Sequence, residues 1–115
     1  MPFTDAALTV MVDAEAGAAT WISAHTADPG TTGANQTGSR AQTTWGSAGT
    51  GATGGDRVGS QVTIAIGAGV TVTHWGLNSA ASGGTFHGGW ALGAPEAFGS
   101  AGSLLHTPTL DVDAV

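Results

Sequence analysis

Four histidines, His25, His74, His87 and His106, and a small set of carboxylates are the residues on which metal or acid–base chemistry would have to rest. A bound zinc or copper ion needs imidazoles that converge, at i, i+2 on a strand or i, i+4 on a helix, with Asp28 or Asp113 as an oxygen ligand. No two of the histidines stand at either spacing. They read as hydrogen-bonded or surface imidazoles, and no metal ligand is nominated. There are no cysteines, which removes thiolate nucleophiles, thiolate-bound metals and disulfides together. A serine hydrolase would need an activated hydroxyl, yet no Gly-X-Ser-X-Gly elbow occurs and no carboxylate pair stands in a cleft-forming context. Gly49-Thr50-Gly51-Ala52-Thr53-Gly54 matches the dinucleotide fingerprint. That chemistry needs a strand before it and a helix N-terminus facing the pyrophosphate after it. More glycine, then Asp56, Arg57 and Val58, follows instead, and among 20 glycines such a match arises by chance. The expectation is a non-enzymatic protein with no catalytic residue, no cofactor and no metal.

Charge narrows the partners. Only 9% of the residues are charged, against roughly 25% in ordinary soluble domains. Lysine is absent, Arg40 and Arg57 are the two basic residues, and the net charge is -6. Nucleic-acid binding by counterion release requires several Lys or Arg contacts, so DNA and RNA are excluded as expected partners. A surface with so little charge mixing suits contact with other protein. No apolar run approaches the roughly 18 residues of a membrane span, and Met1-Pro2-Phe3-Thr4-Asp5 lacks the basic and apolar regions of a secretory signal. Folding inside a cell, in a reducing cytoplasm, is expected, so Asn35-Gln36-Thr37 carries little weight as a glycosylation sequon.

The 115 residues are expected to make one domain, 1–115, with an ordinary core. A helix is predicted over about 4–16: Thr4 caps it, Asp5 suits the positive dipole end, Leu8, Met11 and Val12 form a stripe, and Gly17 ends it. Strands follow from about residue 20. Thr20 to Thr26 alternates Trp21, Ser23 and His25 with Ile22 and Ala24, and Asp28-Pro29-Gly30 makes a turn. Residues 31–40 read as an extended loop, 41–45 as a short strand carrying Trp45 inward, and 46–60 as a glycine-dense stretch, either a flexible loop or an excursion between strands, whose backbone entropy makes it costly to order without a partner. Val62, Ile64 and Ile66 mark a half-buried strand, Gly67-Ala68-Gly69 turns the chain, and 70–77 returns with two semi-apolar sides. A turn over 78–84, a strand over 85–92, a loop over 93–102 and a last strand over 104–112, broken by Pro108 as at an edge, complete the chain. The fold class is mainly β, a small β-sandwich or jelly-roll-like domain with one short N-terminal helix. Of the tryptophans at 21, 45, 75 and 90, at least two are expected in the core, although exposed ones would suit sugar stacking.

His25-Thr26-Ala27-Asp28-Pro29-Gly30-Thr31-Thr32-Gly33-Ala34-Asn35 resembles the LHTADPG-TGAN stretch of small virion proteins of tailed phages, especially those of actinobacteria. The likeness continues through Arg40-Ala41, residues 70–77, Gly83-Gly84-Thr85-Phe86 and Pro95-Glu96-Ala97-Phe98-Gly99, in order, from about 21 to 113. The chain departs in lacking an aromatic just before Arg40 and in its glycine-rich 46–59 stretch, which bears on local contacts there. Members are called tail fibre, minor tail or minor capsid proteins. The resemblance implies a virion structural protein without catalytic or cofactor residues.

Within that class, compactness and the absence of a fibrous repeat or coiled coil favour a capsid decoration or minor capsid protein binding the shell. Acidity suits the virion exterior, away from packaged DNA. Such a protein would be a homo-oligomer on the major capsid protein. The alternative is a tail fibre or minor tail protein with a receptor- or carbohydrate-binding role, contacting tail proteins.

Overall fold

A computed structural model describes residues 4–46 and 56–111. The fingerprint match at 49–54, most of the glycine-dense stretch and Asp113 lie outside the described residues. One helix is followed by eight strands: α1 (Asp5–Ala18), β1 (Trp21–His25), β2 (Gln36–Gln42), β3 (Asp56–Val58), β4 (Val62–Ile66), β5 (Val70–Asn78), β6 (Phe86–Phe98), β7 (Gly102–His106) and β8 (Thr109–Asp111). The protein is mainly β, a small sandwich with one short N-terminal helix, as expected from its alternating apolar positions.

Thr4 caps α1 from extended geometry, its hydroxyl accepting from the Ala7 N–H at 3.2 Å. Leu8, Val12 and Ala16 are buried and lie four residues apart, so one narrow face of the helix points inward while Met11 is half-buried. The expected stop at Gly17 is corrected: the helix runs through it to Ala18, and Ala19 caps it by donating to the Glu15 carbonyl. Glycine at 17 keeps helical geometry and, apart from its chain neighbours and the helix's own backbone, has no atom within 4 Å of where its Cβ would stand.

The larger sheet has the order β2-β1-β5-β6, and the pairs β4-β7 and β3-β8 form two smaller ribbons, all antiparallel. On the larger sheet Ile22 faces Leu77 and Ala24 faces Trp75 across the β1–β5 ladder, so all four share one face. That face meets Val62, Ile64, Ile66 and Leu104 of the β4–β7 ribbon, and Val12, Ala16, Ala19 and Leu110 close the core at the helix side. Burying the Val, Ile and Leu side chains among these stabilises the fold by roughly 1.5–3 kcal/mol each. The turn at 67–69 does not make a hairpin: β4 pairs with β7 and β5 with β1 and β6, so the chain crosses between layers there.

Four other expectations are corrected. Residues 36–40, expected as loop, belong to an edge strand, and the strand expected over 41–45 is its end, stopping at Gln42; its side chains are polar or small and mostly exposed, so no apolar alternation marks it. Residues 93–98 continue β6. The ladder passes from Val72 opposite Glu96 to His74 opposite Ala91, so residues 92–95 bulge opposite Thr73 and Pro95 needs no ladder hydrogen bond. The last strand is two strands in different ribbons, with buried Pro108 between them. Residues 56–58, expected as loop, form β3 by pairing with β8.

The opposite face of the larger sheet is covered by residues 26–35, which close on themselves through Thr26 N–H to Asn35 O (3.0 Å), Gly33 N–H to Pro29 O (3.1 Å) and Gly30 N–H to the Asp28 carboxylate (2.9 Å). Two glycines leave room on this face, Gly89 for the cover itself and Gly76 for Ser23, His25 and Phe86 beneath it. A Cβ on Gly89 would collide with the ring of buried Pro29, and one on Gly76 would stand 2.6 Å from Ser23 Oγ and 2.8 Å from Phe86 Cε1. Replacing Gly89 with alanine is expected to cost about 1–3 kcal/mol by overpacking. The same change at Gly67, where a Cβ meets nothing, should leave urea-unfolding midpoints nearly unchanged, and equal effects at the two sites would contradict the packing described.

Candidate functional site

Two places gather polar and aromatic chemistry. The first lies under the 26–35 cover. His25, Ser23 and Asn78 are buried, on the sheet face opposite the apolar core. His25 Nδ1 is 2.8 Å from the Ala34 carbonyl, which can only accept, so Nδ1 carries the proton. Nε2 is then an acceptor, and the Ser23 hydroxyl 2.7 Å away donates to it. Ser23 Oγ in turn accepts from Asn78 Nδ2 at 2.9 Å, which also reaches the Trp21 carbonyl at 3.3 Å. The result is a one-way chain, Asn78 to Ser23 to His25 to Ala34, complete only with a neutral imidazole. A Phe86 ring stands edge-on to His25 with centroids 6.0 Å apart.

A serine hydroxyl donating to imidazole is the geometry that activates serine nucleophiles. Here Ser23 is 1% and His25 0% exposed, and the group orienting the ring is a backbone carbonyl. The pair is closed to substrate and serves to hold residues 26–35 on the sheet. Asp28, the nearest candidate partner in sequence, turns its carboxylate to the Gly30 N–H instead.

The remaining sequence candidates are dispersed. His74 lies opposite His25 across the β1–β5 ladder but bonds Thr73 Oγ1 at 2.8 Å. His87 pairs with Glu15 of α1 at 2.7 Å. His106 stacks at 4.9 Å on Trp75, and its buried Nε2 has no partner among the described residues. No group of three or more His, Asp or Glu side chains that could hold a metal ion occurs among the described residues. Asn35 of the sequon adopts a left-handed backbone (φ 64°) and donates to the Asp28 carbonyl at 3.3 Å. Of the four tryptophans only Trp75 is buried; Trp45 packs partly against the core, Trp21 is half-buried, and Trp90, stacked on Trp75 at 4.6 Å, is 43% exposed. The expectation of at least two buried tryptophans is met by one ring and the packed part of another.

The second place is an open cleft of about 410 Å³ between α1, the end of β2 and β3. Arg57 forms its floor, held by the Asp13 carboxylate at 2.9 Å and by the carbonyls of Gly46 and Trp45. Trp45 stands at its side with its indole N–H already donated to the Ala19 carbonyl at 2.9 Å, and Gln42 is tied to Thr20 Oγ1 at 3.1 Å. Sequence reasoning missed this cleft. Its residues are dispersed over 45 positions and share no motif, and Arg57 reaches Asp13 through long-range pairing of residues 56–59 with β8 and with Trp45 and Gly46.

His25 is held below its ordinary pKa, chiefly because burial strips water from the imidazolium; Arg40 and His74 push the same way, and the Ala34 carbonyl opposes them. Burial lowers His106 likewise. A group with a lowered folded pKa binds its proton more readily when unfolded. Its contribution to stability is therefore complete above about pH 6.5 and is lost as pH falls from there through the folded value. The urea midpoint is expected to drop between pH 8 and pH 5, and the drop should shrink in a His25→Gln variant. A drop of the same size in wild type and variant would contradict a neutral buried His25.

Over residues 5–112 the chain matches the sequence model of a family described as Podophage GP4 fiber I protein gp80. No curated protein and no solved structure matches it.

Proposed function

This chain belongs to the podophage GP4 fibre I (gp80) family, a family of phage structural proteins, and from that premise we propose that it is a component of a virion fibre on the exterior of the tail. The match over 5–112 carries this reading. It favours the tail-fibre alternative over capsid decoration, which rested on compactness, the absence of a fibrous repeat or coiled coil, and acidity. A short, globular build is no argument against a fibre part if the rest of the fibre is supplied by other copies or other proteins.

The surface suits assembly. Val10, Val58, Trp90 and Leu105 are exposed large apolar side chains on α1, β3, β6 and β7. β2 and β6 are the outermost strands of the larger sheet and present backbone N–H and C=O groups that an added strand can pair. Homo-oligomerisation and contact with neighbouring virion proteins, tail proteins first among them, are parts of this proposal. So are a single 115-residue domain and a non-enzymatic role. No helix among the described residues is long and apolar enough to cross a membrane.

Quantitative mass spectrometry of purified virions, with gold-labelled antibody against the chain in electron micrographs, locates it. Copy numbers in the tens with label at the tail are expected. Hundreds of copies with label over the shell would overturn the fibre reading in favour of decoration.

A further inference from the structure

The cleft beside Trp45 has features that packing alone does not require. Gly17 lines it from within α1. A glycine inside a helix costs about 1 kcal/mol relative to alanine, and usually a close neighbour or an unusual backbone angle explains it. Gly17, one residue before the end of α1, has neither: it is helical, and apart from its chain neighbours and the helix's own backbone nothing lies within 4 Å of where its Cβ would stand. What the glycine leaves is room in the cleft.

The lining around that room is chemically mixed in a particular way. Trp45 and Ala16 supply the apolar lining, Gly17 adds no side chain, Asp13, Arg57 and Gln42 present planar polar groups, and three threonines complete the wall. The two charged residues form one ion pair, so their charges cancel. Arg57 is fixed by three acceptors, and its side chain is 17% exposed. Asp13 uses only Oδ1 toward Arg57 among the described residues and is 53% exposed, which leaves Oδ2 for a hydroxyl donor. A rigid, neutral set of donors and acceptors beside an aromatic ring fits a ligand with both an apolar C–H face and several hydroxyls. An anionic ligand would have to compete with Asp13 for the guanidinium, and a purely apolar one would strand three polar groups.

We propose that the cleft is a binding site for neutral saccharide, with one sugar ring laid against Trp45 and its hydroxyls shared among Asp13, Arg57 and Gln42. This deepens the fibre reading, which supplies a cell-surface glycan as the source of the sugar. The site itself is a property of the isolated chain, so its failure and a failure of virion localisation are separate results.

The test uses the full chain labelled with ¹⁵N, in which each of the four tryptophans gives an indole N–H signal and Trp45→Phe identifies one. Maltotriose, cellotriose and triacetylchitotriose are titrated separately, with trigalacturonate as the anionic comparison. At least one neutral probe is expected to shift the Trp45 indole saturably, at roughly millimolar half-saturation, the weak end of ordinary affinities. Gly17→Leu fills the cleft and replaces a poor helix former with a good one, so it should keep or raise the melting temperature. It should weaken binding at least about tenfold, a loss of roughly 1.4 kcal/mol. No shift at Trp45 with any neutral probe, a response to trigalacturonate only, a response centred on Trp90, or full binding by Gly17→Leu would each overturn the proposal.

Discussion

One directional chain of hydrogen bonds, from Asn78 through Ser23 and His25 to the Ala34 carbonyl, governs the outer half of the structure. Burying four polar groups is favourable only if each finds its partner, because an orphaned one costs about 1–3 kcal/mol. In this chain every donor meets an acceptor when the imidazole is neutral and protonated on Nδ1. The arrangement therefore selects one tautomer, one charge state and one position of residues 26–35. It couples β1 and β5, which contribute three of the four groups, to a segment that has no strand or helix of its own.

The other features follow from having to seal that chain. The cover must come close, which explains glycine at 89 opposite Pro29, and glycine at 76 leaves room for His25 beneath it. Phe86 at the start of β6 closes one side, and Arg40 steadies the neighbouring 79–84 turn through the carbonyls of Ala80 and Gly83 at 2.9 Å each. The apolar core on the other face is a separate matter of aliphatic packing between sheets. A sheet with an aliphatic face and a polar sealed face accounts for a first strand buried on both sides, in which Ser23 and His25 are as inaccessible as Ile22 and Ala24.

Legibility in the sequence followed the strength of local patterning. Val62, Ile64 and Ile66 announced β4 because alternation is a property of neighbours, and Thr4 announced the helix start for the same reason. Residues 36–40 and 93–98 did not read as strands, since an exposed edge needs no apolar period and a bulge absorbs Pro95. Gly17 read as a stop because that is its commonest helical use, whereas here the helix passes through it beside an open cleft. Pairing order was hidden as well: the 67–69 turn looks like a hairpin but joins two layers. The partners of His25, the Ser23 hydroxyl and the Ala34 carbonyl, lie 2 and 9 positions away, and Asn78, which donates to Ser23, lies 55 positions from it; none of these bears a spacing signal. The Trp45 cleft was illegible for a related reason, since it exists only after residues 56–59 pair with β8 and with Trp45 and Gly46. A resemblance to tailed-phage virion proteins pointed to the right class, and the 5–112 family match sharpened it toward a fibre.

The central claim is that a neutral His25, sealed and protonated on Nδ1, pins residues 26–35 to the sheet. The ¹⁵N chemical shifts of the imidazole nitrogens read that state directly. His25 is expected to show a protonated Nδ1 and an unprotonated, hydrogen-bonded Nε2 at neutral pH, and to keep this pattern below pH 6.5, where an ordinary histidine is protonated. An Nε2-protonated ring, or titration at the ordinary value, would contradict it.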